Sequence, residues 1–384
     1  GMIMTFHAAC IRILRRYIER IGYMNGFTIY DTDDQKTIMR QVLKKLDLDP
    51  KMYKDKSVLS QISHAKDELI SPDEFELAAG SDYHKRKIAE AYREYQKQLK
   101  SNNALDFDDI ICKTVELFGS CPEVLDYYSE RFRYIMVDEY QDTNTAQFKL
   151  ISLLASRFRN LCVVGDDDQS IYKFRGANVK NILNFESVFP EAVVIKLEQN
   201  YRSTQNILDA ANAVIKNNSE RKAKSLWTDE GAGDKIAYNI YNTAYEEAYG
   251  IVSDIKEHAV ESGAYNDYAV LYRTNAQSRS LEEKFIELGV PYRIYGAVNF
   301  YARKEIKDVL AYLKTIDNAR DEVAVRRIIN VPKRGIGLTT LEKASVFAED
   351  NDISLYAAVA RGSEIPSLSK AAVGKLDNFC MLIS

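Results

Sequence analysis

Short apolar runs that alternate with amphipathic helical patterns are the feature that most constrains the fold of this chain. The runs stand at residues 134–137, 161–164, 193–195 and 268–272. Helical patterns lie between or after them, at residues 145–158, 204–218 and 277–288. Strands that alternate with helices are typical of parallel, doubly wound sheets. The sequence therefore predicts an α/β fold, in which ligands bind at the carboxyl ends of the strands.

The remaining segments have a helical pattern. Apolar side chains between Phe6 and Ile21 recur at steps of three and four residues, and Gly22 follows as a stop. From about Phe27 to Leu105 the pattern stays helical and polar, with no convincing strand. The chain is helical again beyond Tyr312. Because 384 residues exceed the size of an ordinary compact domain, we expect two or more domains.

Composition excludes several classes of protein. No apolar run approaches the roughly 20 residues that cross a bilayer, and no basic flank precedes an apolar stretch at the start, so we expect neither a membrane association nor a signal peptide. The five cysteines are widely spaced without a CxxC pair, and there are four histidines, so we expect reduced thiols rather than a zinc site. The net charge of −4 does not exclude nucleic acid, because a local basic groove matters more than the total.

Two adjacent carboxylates follow the first apolar run. Asp138 and Glu139 come directly after it and precede Gln141 and Asp142. This is the arrangement of a Walker B motif, in which the first carboxylate holds Mg²⁺ and the second positions or deprotonates the attacking water. The alternative is a pair of solvated acids at a strand end. The full string with Gln141 and Asp142 favours the nucleotide site.

A longer polar string, residues 165–176, follows the second run and is expected at the same sheet edge. Gln169 can hydrogen-bond a terminal phosphate or a water without titrating. Tyr172, Phe174 and Arg175 combine flat rings with a cation, and stacking of bases on such rings contributes about 1–3 kcal/mol per base. The alternatives are a metal site made by the three aspartates of the string, or a polar turn with its aromatics turned inward. Three consecutive acids cannot all face one ion, which disfavours the metal site.

The third run is followed by Tyr201 and Arg202. Arg202 is placed to reach a phosphate, and Tyr201 could pack on a purine face. An arginine finger contributes about 10³–10⁵ in rate. Taken alone, the pair would also fit ordinary surface residues.

Taken together, these strings resemble, in order and spacing, successive motifs of the UvrD/PcrA/Rep-type superfamily 1 ATP-dependent DNA helicases. The resemblance covers the chain from Thr5 to about Gly337. The matching strings are Thr5-Phe6-His7, DEYQD at 138–142, GDDDQSIYKFRGA at 165–177, QNYRST at 199–204, LYRTNAQSR at 271–279 and RKEIKD at 303–308.

The resemblance implies ATP and Mg²⁺ as cofactors. Asp138 would bind Mg²⁺, and Glu139 would be the catalytic base. Gln169 would sense the γ-phosphate. Arg202 would act as the arginine finger, and Tyr201 would stack on adenine.

It also implies a path for single-stranded DNA. His7 would lie near the strand, and Phe107 would line a base pocket, with a core aromatic as an equal alternative for Phe107. Arg175 and the two aromatics of its string would form a stacking platform. The family usually has tryptophan where Phe174 stands, so we expect somewhat weaker stacking. Arg273 and Asn275 would hold the phosphate backbone.

The implied fold consists of RecA-like P-loop NTPase motor domains, with parallel sheets flanked by helices, and all-helical insertions. Residues 1–28 with 106–203 would form the first motor domain, and residues 29–105 its helical insertion. Residues 204–300 would begin the second motor domain. Residues 301–384 would begin a second helical insertion.

The implied function is 3′–5′ helicase or translocase activity on single-stranded DNA and single-strand/duplex junctions, in DNA repair or replication and with proteins of those processes. The location would be the bacterial cytoplasm, at the nucleoid. Two alternatives remain open: a non-enzymatic DNA-binding module derived from a helicase, and the motor part of an AddA/RecB-like helicase–nuclease.

The sequence also departs from the family pattern. A phosphate-binding loop requires Gly-x-x-x-x-Gly-Lys-Ser/Thr. The Gly374-Lys375 pair is followed by leucine, and Ser369 stands where the first glycine belongs. The late Thr-x-His-x-x-Lys-Gly string is missing, since no histidine follows His258. We therefore expect a chain that is incomplete at both ends and that by itself binds ATP weakly and hydrolyses it negligibly.

Overall fold

The computed structural model describes residues 2–219, 221–222, 224–262, 264–295 and 304–383. The backbone divides into two compact units. The first unit consists of Gly1–Val194, Glu220–Lys222 and Lys304–Ser384, and the second of Ile195–Ser219 and Ala223–Arg303.

The first unit begins with the helix that the apolar periodicity predicts. Helix α1 spans Phe6–Tyr17 and continues as a 3₁₀ turn, Ile18–Ile21, which ends at Gly22 with a φ of 80°. The Thr5 hydroxyl accepts a hydrogen bond from the backbone N–H of Ala8 (3.3 Å) and so caps the start of the helix. The predicted helix and its stop at Gly22 are confirmed.

The next segment is helical, as predicted, and has a core of its own. Its helices are α2 (Thr32–Lys45), α3 (Asp55–Asp67), α4 (Pro72–Ala79) and α5 (Tyr83–Ser101). Capping boxes begin α2, at Asp31, and α4, at Ser71, and satisfy backbone N–H groups that the helices leave free. Buried side chains such as Ile38, Met39 and Tyr95 pack between these helices.

Two short strands bracket this helical segment. Strand β1 (Thr28–Ile29) pairs in parallel with β2 (Ala104–Leu105), and the backbone N–H of Tyr30 donates to the carbonyl of Leu105 (2.9 Å). The prediction that residues 27–105 contain no strand is therefore wrong. A strand of two residues is too short to show the alternation by which strands are recognised in a sequence.

The predicted sheet edge is present in the first unit. After α6 (Phe107–Ser120) and α7 (Pro122–Arg131), strand β3 (Ile135–Val137) leads through α8 (Thr145–Ala155) to strand β4 (Leu161–Val163). The two strands are parallel, with Val137 opposite Val163. Parallel neighbours require a crossover, which α8 supplies. The predicted strands at 134–137 and 161–164 are confirmed.

The other two predicted strands are wrong. After the short helices α9 (Lys180–Leu183) and α10 (Phe185–Val188), residues 193–195 are extended without strand pairing, and the same holds for residues 268–272 in the second unit. Val193, Ile195 and Leu271 are 85%, 78% and 93% exposed. An apolar run becomes a strand only when a neighbouring strand takes its backbone hydrogen bonds, and the run itself does not specify that neighbour.

The second unit contains α11 (Gln205–Ile215), α12 (Ala244–Ser262) and α13 (Ser278–Glu287). A single parallel bridge joins Gln199 to Trp227 in the part of this unit that the structure describes. The backbone N–H of Asn200 donates to the carbonyl of Trp227 (2.7 Å), which holds the two extended segments together. The buried side chain of Lys284 lies 3.4 Å from the centroid of the Tyr245 ring and anchors α13 on α12.

The C-terminal helices complete the first unit. They are α14 (Lys304–Asp317), α15 (Glu322–Ile328), α16 (Leu338–Asp350), α17 (Leu355–Ala360) and α18 (Lys370–Ile383). They join the first helical segment through buried polar contacts, in which the Tyr30 hydroxyl donates to Asp321 (3.0 Å) and the Asn318 amide donates to Thr28 (2.9 Å). No helix among the described residues has the length and apolarity to cross a membrane.

A buried ammonium group ties the helical segment to α6. Lys66, at the end of α3, lies 2.5 Å from Asp106 and 2.9 Å from Asp109, and all three side chains are at most 3% exposed. Burial alone would lower the pKa of Lys66, but the two carboxylates hold that pKa above its ordinary value. The hydroxyl of Tyr95 donates to Asp106 (3.1 Å) and the amide of Gln96 to Asp109 (3.0 Å). The ammonium is thus charged, paired and enclosed by hydrogen bonds.

We expect Lys66→Met to lower the free energy of unfolding by about 3–5 kcal/mol, because it leaves two carboxylates buried without their cation. Urea denaturation measures the change. The control is Lys87→Met, since the Lys87–Glu90 pair on α5 is partly exposed, and this change should stay within about 0.5 kcal/mol. A loss in Lys66→Met as small as that in the control would contradict the structural role of the buried ammonium.

Candidate functional site

Asp138 and Glu139 lie at the carboxyl end of β3, and both are exposed. The Asp138 carboxylate accepts a hydrogen bond from the backbone N–H of Glu139 (2.9 Å). Glu139 has a φ of 50°, in the left-handed region that is uncommon for residues other than glycine. The 3₁₀ turn Tyr140–Asp142 follows, with Tyr140 fully buried. The buried tyrosine therefore anchors the turn, while the two carboxylates before it face outward.

The side-chain amide of Gln141 joins the two polar clusters. Gln141 is 1% exposed, its Nε2 donates to Glu139 Oε2 (2.8 Å), and its Oε1 accepts from the backbone N–H of Asp166 (2.9 Å). Gly165 makes room for this contact, since a Cβ there would lie 2.5 Å from Gln141 Oε1. The sequence shows Gln141 only as part of a motif string. No local sequence pattern indicates that a buried amide will connect the ends of two strands.

The loop of residues 165–176 engages its three aspartates with different partners. Asp166 accepts from the Gln169 amide (2.7 Å), and Asp167 accepts from the backbone N–H of Lys222 (2.8 Å). Asp168 makes a two-bond contact with the Arg221 guanidinium (2.8 and 2.7 Å). Among the described residues, no group of three His, Cys, Asp or Glu side chains is placed to hold a metal ion. The alternative of a metal site made by these aspartates is therefore not supported.

Gln169 is brought into the same hydrogen-bonded chain as Glu139. The chain runs from Glu139 to Gln141, then to Asp166 and to Gln169, with each contact between 2.7 and 2.9 Å. Gln169 itself is exposed. The first unit thus collects Asp138, Glu139 and Gln169 at one edge of the β3–β4 pair, as the rule for parallel strands requires.

Tyr201 and Arg202 lie in the second unit and are exposed. The Asn200 side chain accepts from the backbone N–H groups of Arg202 (2.9 Å) and Ser203 (2.8 Å), so it shapes the turn that presents both residues. The Tyr201 hydroxyl donates to Gln199 (2.9 Å), and its ring is 77% exposed. Their grouping with Glu139 and Gln169 around one nucleotide stays a prediction.

An aromatic cavity in the first unit contains several of the residues predicted to meet DNA. The rings of His7 and Phe107 stack with centroids 3.7 Å apart and an angle of 22° between planes. Together with Phe174 they line a cavity of about 540 Å³. Phe107 is 54% exposed, so the alternative of a core aromatic is wrong. Burial lowers the pKa of His7, which is therefore neutral at pH 7.

Tyr172 and Phe174 form a tilted pair with ring centroids 6.1 Å apart. Phe174 is 71% exposed and Tyr172 is 38% exposed, so the alternative of aromatics turned inward is wrong. The side chain of Arg175, predicted to complete the platform, lies outside the described residues. The platform as a DNA contact stays a prediction.

Arg273 and Asn275 lie in the second unit, just before α13, and are exposed. The Gln277 side chain accepts from the backbone N–H groups of Arg273 (3.0 Å) and Thr274 (2.9 Å) and holds the turn that carries them. Their predicted phosphate contacts remain untested by this arrangement.

Arg221 should hold the 165–176 loop in place, although no sequence pattern indicates it. Its contact with Asp168 is mostly buried, with 14% and 13% of the two side chains exposed. We expect Arg221→Ala to speed hydrogen exchange of the loop amides, such as that of Gln169, at least about tenfold, because it removes the two-bond charged contact to Asp168. Mass spectrometry after deuterium labelling measures the exchange.

The control for this prediction is Arg279→Ala. Arg279 pairs with Glu283 on α13 with 88% and 59% of the side chains exposed, and an exposed pair contributes little. Exchange in the loop should be unchanged in the control. Equal exchange in Arg221→Ala and the unmodified protein would show that Arg221 does not hold the loop.

Comparison with known proteins agrees with this geometry. Residues 1–190 match the UvrD/REP helicase N-terminal domain, and residues 195–360 match the UvrD-like helicase C-terminal domain. The ATP-dependent DNA helicase PcrA of Staphylococcus epidermidis (strain RP62A) is 50% identical over 379 residues, which are 99% of this chain and 52% of that protein. The protein of the same name from Staphylococcus aureus (strain Mu50) is 51% identical over 379 residues, again 99% and 52%.

The chain therefore spans about half the length of the curated relatives it matches. The two matched domains imply a RecA-like α/β fold, with which the parallel β3–β4 pair and its crossover helix agree. On these matches, which together extend over most of its length, the chain belongs to the UvrD/PcrA/Rep family of DNA helicases.

Proposed function

We propose that this chain belongs to an ATP-dependent 3′–5′ DNA helicase or translocase, which acts on single-stranded DNA and on single-strand/duplex junctions. The observation that carries the proposal is the loop of residues 165–176. It holds Gln169 within the hydrogen-bonded chain from Glu139, and five residues later it carries Phe174 into the aromatic cavity. One short loop therefore spans a phosphate-sensing position and a base-stacking position.

The residues at the end of β3 fit a magnesium-bound nucleotide. Asp138 and Glu139 present exposed carboxylate oxygens, which are the ligands that Mg²⁺ prefers. In the proposed site Asp138 holds the ion, whose charge offsets that of the phosphates when it is bound. Glu139 takes a proton from the attacking water, and the amide of Gln141 keeps its carboxylate oriented.

The remaining predicted residues complete this proposal. Gln169 donates from its amide to the terminal phosphate, and Arg202 offsets charge that develops during transfer. Tyr201 stacks on adenine. On the DNA side, the His7–Phe107 stack and Tyr172–Phe174 take the bases, and the turn with Arg273 takes phosphates.

We propose the domain organisation that the family pattern implies. Residues 1–28 with 106–203 belong to the first motor domain, and residues 29–105 are its helical insertion. Residues 204–300 begin the second motor domain, and residues 301–384 begin a second helical insertion. The β1–β2 pair supports the first boundary, because it closes the helical segment where the chain enters and leaves it. A role in DNA repair or replication at the bacterial nucleoid belongs to the same proposal.

Measurement of DNA binding by this chain tests the DNA-binding part of the proposal. We expect a short labelled oligothymidylate to bind with an affinity that falls as salt rises, because phosphate contacts release counterions. Phe174→Ala should weaken binding about tenfold, since a stacked base contributes about 1–3 kcal/mol. Fluorescence anisotropy measures the dissociation constant.

The matched control is Tyr83→Ala on α5, which removes a ring as exposed as that of Phe174, at 71%. It should leave the dissociation constant unchanged. Equal losses in both variants, or binding that does not respond to salt, would contradict the proposed strand site.

Hydrolysis tests the nucleotide side. The 384 residues contain no Gly-x-x-x-x-Gly-Lys-Ser/Thr string, so we expect negligible ATPase from this chain alone. A chimera that surrounds it with the flanking segments of the S. epidermidis relative should show DNA-stimulated ATPase. In that chimera Glu139→Gln should lower kcat by about 10²–10⁴ with little change in KM, because it removes the base.

Glu130→Gln is the control for the chimera, since Glu130 forms exposed ion pairs with Arg133 and Arg157. It should keep full activity. If this chain alone hydrolysed ATP and Glu139→Gln abolished that activity, the expectation for the isolated chain would be wrong. If the Glu139→Gln chimera stayed active, the role of Glu139 as the base would be wrong.

A further inference from the structure

Asp67 is an acidic residue in the lining of the aromatic cavity that has no role in the motifs described above. It is the last residue of α3, and it lines the cavity together with His7, Phe107 and Phe174. The cavity volume of about 540 Å³ is within the range of roughly 300–1,000 Å³ that small-molecule pockets have. A nucleobase stacked on these rings would lie beside the Asp67 carboxyl group.

The two oxygens of Asp67 have different surroundings. Oδ1 accepts a hydrogen bond of 2.6 Å from the side-chain amide of Asn144, the buried residue that caps α8. Oδ2 faces Gly176, where a Cβ would come within 2.0 Å of it. Gly176 has a φ of 85°, so glycine is required there for its backbone as well as for space. The carboxyl group is thus held between α8 and the end of the 165–176 loop.

Acidic neighbours surround this carboxyl group. Asp108 on α6 and Glu68, which follows Asp67, both place negative charge near it. Lys66 on the same helix is engaged with the buried carboxylates of α6. None of the described side chains forms an ion pair with Asp67.

Other groups line the cavity from the remaining elements. His7 on α1 is neutral at pH 7, because burial lowers its pKa. His64 on α3, Gln147 on α8 and Lys173 in the loop also line the cavity, and Lys173 contributes the positive charge of its ammonium group. Burial of Asp67, followed by the charge of Asp108, raises the pKa of Asp67 to about 7.

A strand that enters this cavity brings further negative charge. Like charges repel each other, and they do so more strongly near a protein surface than in water. A protonated carboxyl avoids this repulsion. It also gains an O–H donor for the carbonyl or ring-nitrogen acceptors of a base, whereas a carboxylate can only accept.

We propose that Asp67 is a strand-contacting residue, which takes up one proton when single-stranded nucleic acid fills the cavity and then donates a hydrogen bond to a base. The inference rests on the proposed function, because it requires that the cavity binds a single strand. Binding becomes linked to pH through this one residue. The strand binds the protonated form more tightly, so affinity is greatest at low pH and falls as Asp67 ionises.

The test is the dissociation constant of this chain for a labelled oligothymidylate of about ten nucleotides, long enough for one binding groove. Anisotropy is recorded from about pH 6 to about pH 8 at constant ionic strength. We expect the dissociation constant of the unmodified protein to rise about tenfold over this range, because one proton is linked to binding. Asp67→Asn is neutral at every pH, and its dissociation constant should stay near the low-pH value throughout.

Asp73→Asn is the matched control, since Asp73 lies on α4 with 82% of its side chain exposed and pairs with Arg93. It should keep the pH dependence of the unmodified protein. Calorimetry of the unmodified protein in two buffers with different ionisation enthalpies measures the proton uptake directly and does not depend on the folding of a variant. We expect an uptake approaching one proton per strand at a pH slightly above neutrality.

The outcomes separate this inference from the proposed function. Salt-sensitive binding that is independent of pH, or pH dependence that persists in Asp67→Asn, would overturn the role of Asp67 and leave the strand site intact. The absence of proton uptake in calorimetry would do the same. No salt-sensitive binding at any pH would contradict the proposed strand site itself.

Discussion

The ammonium group of Lys66 is the interaction on which the aromatic cavity of the first unit, the proposed DNA site, depends. It holds Asp106 and Asp109 at distances of 2.5 and 2.9 Å in a fully enclosed site. Two sequence neighbours of this cluster line the aromatic cavity: Asp67 follows Lys66, and Phe107 follows Asp106. Buried charge is costly unless its partners are placed accurately. Because the positions of Lys66 and Asp106 are fixed in this way, the positions of the adjacent carboxyl group of Asp67 and ring of Phe107 are restricted as well.

The proposed nucleotide site depends on a second buried polar group, the amide of Gln141. Its two hydrogen bonds fix the Glu139 carboxylate relative to the backbone at Asp166. Gly165 permits the close approach, and the Arg221 guanidinium holds Asp168 in the same loop. The loop is therefore pinned at its beginning by long-range contacts and reaches the aromatic cavity at its end. In the proposed function, this one loop therefore lies at both ligand sites.

The sequence predicted the elements whose signals are local and missed those whose signals are not. The helical periodicity of α1 and the apolar runs of β3 and β4 were sufficient, because each recurs within a few residues. Residues 193–195 have an equally apolar pattern but are not paired as a strand. An apolar run shows only that its side chains are suited to burial. A strand also needs a partner for its backbone hydrogen bonds, and that partner lies elsewhere in the chain. The β1–β2 pair was missed because its strands are paired although their sequences show no strand pattern.

The candidate site divides in the same way. Asp138, Glu139 and Gln169 were predictable, because motif strings place them directly after strands and the rule for parallel sheets brings strand ends together. The exposure of Phe107 excludes the core aromatic that its sequence context left as an equal alternative, and its contact with a base stays a prediction. Gln141, Asp67 and Arg221 were not recognised as site residues. Each acts through a partner that is 25 to 77 residues away in the chain, and no local pattern encodes such a distance.

Functional positions in this unit carry local costs that distant contacts offset. Glu139 adopts a left-handed backbone, which costs about 1–3 kcal/mol for a residue other than glycine, and the Gln141 amide stabilises it there.

The pKa of Asp67 is raised to about 7, so the folded protein binds a proton at this residue more tightly than the unfolded chain does. Stability then decreases as the pH rises from about 4 through about 7, since the ionised carboxyl is the less favourable form in the fold. The hydrogen bond from Asn144 reduces the cost without removing it. Under the proposed linkage, a bound single strand shifts this carboxyl group to its protonated form.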